Sequence, residues 1–203
     1  MSRIFGYGED ALTLWALKNK LAVILNAFND PSNPEDCVVF YRPSFGRSGG
    51  NLSAQFGEFD AIVASKQAIY LVESKWDNNS RFDKKEVVLR SEQVLRHQLL
   101  KWYINNWDLT YSAENWDKIR EKQGSISYKV IPPKTSLLAK NLQFILTNLI
   151  GNLSSGDKVI VVNVLLFFYN HACSKPPAQV NGDFKIVPIE YGEENKNNFI
   201  SLK

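Results

Sequence analysis

Two acidic residues precede a short apolar segment of this chain, and a glutamate and a lysine end the next one. They are Glu58 and Asp60, then Glu73 and Lys75. Carboxylates side by side repel one another unless a cation relieves them, and oxygen ligands suit Mg²⁺. A bound Mg²⁺ polarises a phosphoryl oxygen and lowers the pKa of a coordinated water. A lysine nearby can orient or deprotonate that water, or neutralise charge in the transition state. These residue types therefore indicate hydrolysis of a phosphodiester bond.

Two neighbouring strands are needed to bring the four residues together. Residues 61–64 and 68–72 are apolar and partly β-branched, which predicts strands. Residues 65–67 are polar and predict a tight reversal, centred between Lys66 and Gln67. This pair is not typical of two-residue turns, so a slip by one residue is an alternative that would scatter the charged groups.

The centred register places Asp60 opposite Glu73 and Glu58 opposite Lys75. Directly opposed Cβ atoms lie about 4.5–5.5 Å apart. Because side chains alternate along a strand, the two acids before the hairpin share a face, as do Glu73 and Lys75. The four groups are expected to converge at the open end of the hairpin. In the competing interpretation they are ordinary polar residues at strand ends, since short motifs recur by chance.

An acid, twelve intervening residues and then Glu-x-Lys at the end of an apolar strand resembles the PD-(D/E)xK nuclease superfamily. The resemblance implies a core of helix, three-stranded meander, helix and further strand. It implies Asp60, Glu73 and the backbone carbonyl of Ser74 as metal ligands, and Lys75 as the catalytic lysine. One departure is Phe59, which stands where the motif has proline.

The same resemblance implies a cofactor and a substrate. The cofactor would be Mg²⁺, with Mn²⁺ as a substitute, and the substrate DNA, cut in restriction, junction resolution or repair. Many relatives that cut both strands are dimers, so a homodimer is a further expectation. The family often places a glutamate of the first helix at the metal, which implies Glu9, whereas helical periodicity favours Asp10. Glu58 is a candidate for completing the metal shell or a second metal site.

The chain as a whole predicts an α/β fold with a central mixed sheet flanked by helices, a restriction-endonuclease-like core in one domain, 1–203. Residues 108–157 are predicted as a helical insertion before a buried fourth strand, and the Asn/Glu/Lys-rich C-terminal end is predicted to be frayed. The predicted helices are 8–28, 87–107 and 136–149; the further predicted strands are 37–41, 159–169 and 184–191.

Basic and amide side chains in two places are candidates for contacting nucleic acid. One place is a glycine-rich loop, 45–55, and the other is the helix predicted at 87–107. A solvated loop and a solvated helix face are the alternatives. The aromatic cluster between Trp102 and Trp116 suits either a stacking platform or a core, and core packing is the preferred interpretation. The candidate contact residues are Arg42, Arg47, Gln93, Arg96, His97 and Gln98.

Composition limits the remaining choices. The chain has 203 residues, 44% of them hydrophobic and 22% charged, which is typical of a globular protein and not of a disordered one. A net charge of +3 is far from a strong nucleic-acid signature. Two cysteines make neither a disulfide framework nor a zinc site, and no signal peptide or membrane span is evident, so the expected location is the cytoplasm.

Two other functions stay open at this point. One keeps the fold as a catalytically inactive nucleic-acid-binding or assembly module. The other is a protein-interaction domain in which Glu58 and Lys75 form a plain cross-strand ion pair. Neither explains why Asp60 should face Glu73, an arrangement that costs stability without a cation.

Overall fold

A computed structural model describes eight stretches of the chain. The glycine-rich loop from residue 46 onward, with Arg47, lies outside them. The described stretches are 3–45, 57–77, 86–109, 115–121, 131–154, 159–172, 174–192 and 198–202.

The elements follow one another as an α/β chain. A short strand opens it, and two helices lead into a three-stranded meander; later helices alternate with strands. In order they are β1 (Phe5–Tyr7), α1 (Gly8–Asn19), α2 (Leu21–Asn26), a 3₁₀ turn (Pro34–Asp36), β2 (Val38–Tyr41), β3 (Ala61–Ala64), β4 (Ala68–Trp76), β5 (Glu86–Val87), α3 (Ser91–Asn106), α4 (Asn115–Glu121), α5 (Leu137–Asn152), β6 (Ile160–Tyr169), β7 (Gln179–Val180), β8 (Lys185–Glu190) and β9 (Phe199–Ser201).

The central sheet has five strands in the order β2-β3-β4-β6-β8. The β2–β3 and β3–β4 pairs are antiparallel, whereas β4–β6 and β6–β8 are parallel. The predicted mixed sheet is thus confirmed, as are a buried strand parallel to its neighbour at 160–169 and an edge strand at 185–190.

Helices cover both faces of this sheet. Alternate residues of β4 point to opposite faces, so Ile69 and Leu71 join a core with α3 and α5, while Tyr70 and Val72 join a core with α1 and α2. Every residue of β3 is fully buried. α5 begins at a capping Ser136, whose side chain accepts from the Ala139 N–H.

Some boundaries differ from the sequence predictions. The helix expected at 8–28 is two helices, because the backbone turns at Lys20 (φ −127°, ψ 12°), and Leu21, Ile24 and Leu25 of the second helix are still buried. The helix expected from 87 begins at Ser91, since β5 pairs with β7 just before it.

The prediction that the Asn/Glu/Lys-rich C-terminal end is frayed is wrong for residues 198–202, whereas residues 193–197 lie outside the described part of the chain. β9 pairs antiparallel with β1, and Ile200 is fully buried against the α1 side of the core. Burial of that apolar side chain, together with the backbone pairing to β1, offsets the entropy cost of ordering the short strand. In the described part of the chain, no helix is both long and apolar enough to cross a lipid bilayer.

Candidate functional site

The predicted hairpin register is confirmed. Ala61 pairs with Val72 and Ala64 with Ile69, so the slipped alternative is excluded. The turn lacks a glycine. Ser65 stabilises it instead, because its Oγ accepts from the N–H groups of Gln67 and Ala68, each at 3.0 Å. The register ends one residue short of Asp60, which therefore lies where the two strands open.

Asp60 lies at the open end of the hairpin in a crowded, acidic setting. Its Oδ2 accepts from the Ser74 N–H at 2.7 Å, and no other described residue hydrogen-bonds to the carboxylate. Burial raises the pKa of Asp60 to about 7, helped by the negative charge of Glu73 and, more weakly, Glu9. The Ser74 N–H and the Lys75 ammonium offset only part of this effect on the pKa.

Glu73, by contrast, is surrounded by donors from α3. It is 1% exposed. Its Oε2 accepts from Gln93 Nε2 at 2.6 Å, while its Oε1 accepts from Arg96 Nη2 and from His97 Nε2, the latter at 3.2 Å. Burial alone would raise the pKa of Glu73, but the hydrogen bond from His97 and the charge of Arg96 outweigh it and lower that pKa.

His97 is buried completely between the rings of Phe59 and Phe184, with centroids 5.0 and 4.7 Å away. Its Nδ1 lies 3.1 Å from Asn163 Oδ1, and Asn163 Nδ2 donates to the Asp183 carbonyl. Both ring nitrogens therefore lie within hydrogen-bond distance of an oxygen. Glu73 is thus enclosed by a guanidinium, an imidazole and an amide.

Lys75 reaches the helix side of the site. Its Nζ lies 3.3 Å from Glu9 Oε1 and also donates to the Ser74 carbonyl. Glu9 Oε2 accepts from the Trp76 N–H at 2.9 Å. Burial raises the pKa of Glu9, against the opposing effect of Lys75. The structure therefore brings Glu9, and not Asp10, to the predicted site.

Thr13 fixes α1 against β4 beside these groups. Its Oγ1 lies 2.8 Å from Ser74 Oγ and 2.9 Å from the Glu9 carbonyl, and both hydroxyl residues are buried. Two hydroxyls and one carbonyl form a chain in which each proton has an acceptor. This contact sets the position of Glu9 relative to Lys75, and nothing in the sequence pattern pointed to it.

The expectation that Glu58 lies opposite Lys75 is wrong. On the N-terminal side of Asp60, residues 58 and 59 run beside β2 instead of β4. The Arg42 N–H donates to the Asp60 carbonyl, and Ser44 forms a bridge with Glu58. Phe59 is fully buried on this path, which favours the path beside β2 over one beside β4. Glu58 forms an ion pair with Arg42.

The predicted nucleic-acid contacts fall into three settings. Arg42 is half-exposed and pairs with Asp10 as well as Glu58. Gln98 is exposed on α3. Gln93, Arg96 and His97 turn inward to Glu73, a role that the sequence analysis missed.

One signal pointed to the inward-facing network. Asn163 is the single polar residue in the otherwise apolar run of β6, and it is buried beside His97. A buried amide in a central strand requires partners. The predicted aromatic cluster is core: Tyr103, Trp107 and Trp116 are all buried.

The oxygen atoms around Asp60 suit a hard cation as ligands. Among the described residues, no three His, Cys, Asp or Glu side chains form a group arranged to hold a metal ion. Mg²⁺, however, commonly takes one or two protein carboxylates and keeps several waters. The half-buried Asp60 carboxylate, which is crowded by other acids and accepts one N–H, fits that requirement.

Comparison of the chain with family models, curated proteins and solved structures finds no significant match.

Proposed function

We propose that this protein hydrolyses phosphodiester bonds of DNA with the help of Mg²⁺, at the open end of the β3–β4 hairpin. The observation that carries the proposal is the half-buried Asp60 carboxylate, which has the charges of Glu73 and Glu9 nearby and Lys75 beside them. A carboxylate held in this way has an energetic need for a cation. The order α1, β2–β3–β4 meander, α3 and parallel β6 also supports it.

The residues of the site have separable roles. Asp60, with Glu73, Glu9 and the Ser74 carbonyl as neighbours, would hold the ion. When bound, Mg²⁺ would supply polarisation of the phosphoryl oxygen and an acidified water. Lys75 would leave Glu9 and the Ser74 carbonyl to donate to the attacking water or to the phosphate oxygens. Arg42 forms ion pairs with Asp10 and Glu58. If one of these ion pairs opened, the guanidinium would be able to contact a flanking phosphate.

The test is cleavage by the purified protein of supercoiled plasmid, a branched junction and a labelled single strand. Each substrate is incubated with Mg²⁺, Mn²⁺ or EDTA, beside the Asp60→Asn variant. Metal-dependent cutting that disappears in the variant is the expected result. The same panel with RNA shows whether DNA is the substrate. No cutting of any substrate, with no Mn²⁺ binding, would contradict the proposal.

One observation favours a second function, an inactive nucleic-acid-binding or assembly module. The Glu73 carboxylate forms an ion pair with Arg96 and a hydrogen bond with His97, as expected of an acid that now serves the fold. A module of this kind would bind DNA equally well with Mg²⁺ and with EDTA and would cut none. Filter binding in both buffers, beside the cleavage assay, separates the two functions.

A further inference from the structure

Asp60 and Glu73 are neighbours, but their carboxylates are in opposite states. Asp60 accepts one backbone N–H, from Ser74, which leaves Oδ1 without a donor in the described part of the chain. Glu73 accepts three side-chain donors, and its side chain is 1% exposed. A carboxylate offers about four lone-pair sites, so Glu73 has one left.

Geometry locks Glu73 further. The His97 ring is packed between Phe59 and Phe184, and Arg96 lies over the Phe59 ring with Cζ 5.2 Å from its centroid. The guanidinium also lies against Gly57: a Cβ there would come within 2.8 Å of Arg96 Nη1. Neither side chain can leave Glu73 without disturbing buried packing, and the guanidinium would then be buried and unpaired.

From this we infer that Gln93, Arg96 and His97 are positioning residues that hold Glu73 out of the inner coordination sphere, so that Asp60 is the carboxylate that contacts the cation directly. The inference rests on the proposed function, since it concerns the same site. Glu73 then acts through its fixed charge and through water. The two acids of the motif are therefore not equivalent in this chain.

The inference also accounts for the polar chain behind Glu73. His97 is oriented by Asn163, and Asn163 by the Asp183 carbonyl. Residues from α3, β6 and the loop before β8 therefore hold the Glu73 carboxylate in place. Hydrogen bonds also orient carboxylates that bind metals. At Glu73, however, three donors occupy both oxygens, which leaves about one lone-pair site for an ion.

The test uses Tb³⁺ in place of Mg²⁺ and reads affinity by luminescence titration and the number of bound waters by lifetimes in H₂O and D₂O. The decisive variant is the double substitution Glu73→Gln with Arg96→Met, which removes one charge of each sign and leaves the local net charge unchanged. We expect its affinity for Tb³⁺ to stay within about threefold of the wild-type value, and Asp60→Asn to lose at least about thirtyfold. A loss of about tenfold or more in the double variant overturns the inference.

A second variant covers failure of the first to fold, which circular dichroism would reveal. Arg96→Met alone frees Glu73 Oε1 from the guanidinium. We expect the released carboxylate to enter the coordination sphere and the number of bound waters to fall. A water number equal to that of the wild type shows that the Arg96 guanidinium does not hold Glu73 out of the coordination sphere, and it overturns the inference.

These outcomes are distinct from failure of the proposed function. Tb³⁺ binding that follows the expected pattern, without DNA cleavage in Mg²⁺, leaves the inference standing and removes the nuclease. A wild-type protein that binds neither Tb³⁺ nor Mn²⁺ overturns both.

Discussion

An aspartate lies at each end of the β3–β4 hairpin, and the two carboxylates have opposite hydrogen-bonding environments. Asp30 at the closed end is buried, and Asp60 at the open end is half-buried. At the closed end, Asp30 accepts from the Ser32 N–H at 2.9 Å and from Ser65 Oγ and Tyr70 OH, both at 2.6 Å. Burial alone would raise the pKa of Asp30, but these hydrogen bonds outweigh it and lower that pKa. At the open end, Asp60 has the Ser74 N–H and two acidic neighbours, and its pKa is raised.

Hydrogen-bond donors distinguish the carboxylate that serves the fold. Asp30 ties the α2–β2 connection to the hairpin turn, and three donors satisfy both of its oxygens. Asp60 retains an acceptor and a charge that the protein does not balance. Carboxylates that lack hydrogen-bond donors inside a protein are found where a ligand or a proton completes them.

The largest expected difference concerns two lysines of the same hairpin. Lys75→Ala should reduce cleavage by about 10²- to 10⁴-fold, because the ammonium beside the reacting water is lost. Lys66→Ala is the matched control: Lys66 is exposed at the closed end, where its Nζ donates to Asn152 Oδ1 at 3.0 Å. It should cut at the wild-type rate. Initial rates on plasmid measure both, and equal rates would remove Lys75 from the mechanism.

The next difference is in stability. Asp30→Ala leaves the hydroxyls of Ser65 and Tyr70 without their acceptor and should lower the free energy of unfolding by about 3 kcal/mol. Asp60→Asn removes a charge that its surroundings disfavour, so at pH 8 in EDTA it should unfold at equal or higher urea concentration than the wild type. Urea melts at that pH compare them. A larger loss for Asp60→Asn than for Asp30→Ala would reverse the roles assigned to the two ends.

The opposite pKa shifts of the two aspartates predict opposite dependences of stability on pH. Asp30 has a lowered pKa in the fold, so its stabilisation is present above the unfolded pKa near 3.8 and is lost as pH falls through the folded value. Asp60 has a raised pKa, so the folded state binds more protons between about 4 and 7, and stability falls as pH rises through that window.

Urea melts of wild type and Asp60→Asn between pH 4 and 8, in EDTA, check this. The difference in unfolding free energy between variant and wild type should grow in the variant's favour as pH rises, and then level off above about 7. A difference that is constant across the range would show that Asp60 titrates normally.

The smallest expected effect is stabilisation by the cation. At ten times its dissociation constant, Mg²⁺ should raise the free energy of unfolding of the wild type by about 1.4 kcal/mol. Asp30→Asn should keep this increment on its lower baseline, whereas Asp60→Asn should lose it. Thermal melts with Mg²⁺ against EDTA measure the increments. An increment that survives Asp60→Asn would place the cation elsewhere.

Much of the fold could be predicted because the signals are local. Apolar, β-branched segments and a polar reversal defined β3, β4 and their register, and the apolar run of β6 defined a strand buried on both faces. The break at Lys20 and the pairing of β9 with β1 could not be predicted, because each depends on what a distant segment buries. Local propensity is a weak guide to such contacts.

The candidate site divides in the same way. Sequence alone determined that Asp60, Glu73 and Lys75 meet at one end of a hairpin, because strand alternation and turn position follow from residue types near one another. Tertiary structure decided which of these charged groups has counter-charges and hydrogen-bond partners. Glu73 received its counter-charges from α3, and Glu58 was carried to Arg42 by the path of Phe59 into the core. Hydrogen-bond donors and burial come from elements far away in the chain, so the charge state and availability of a carboxylate are properties of the packed molecule.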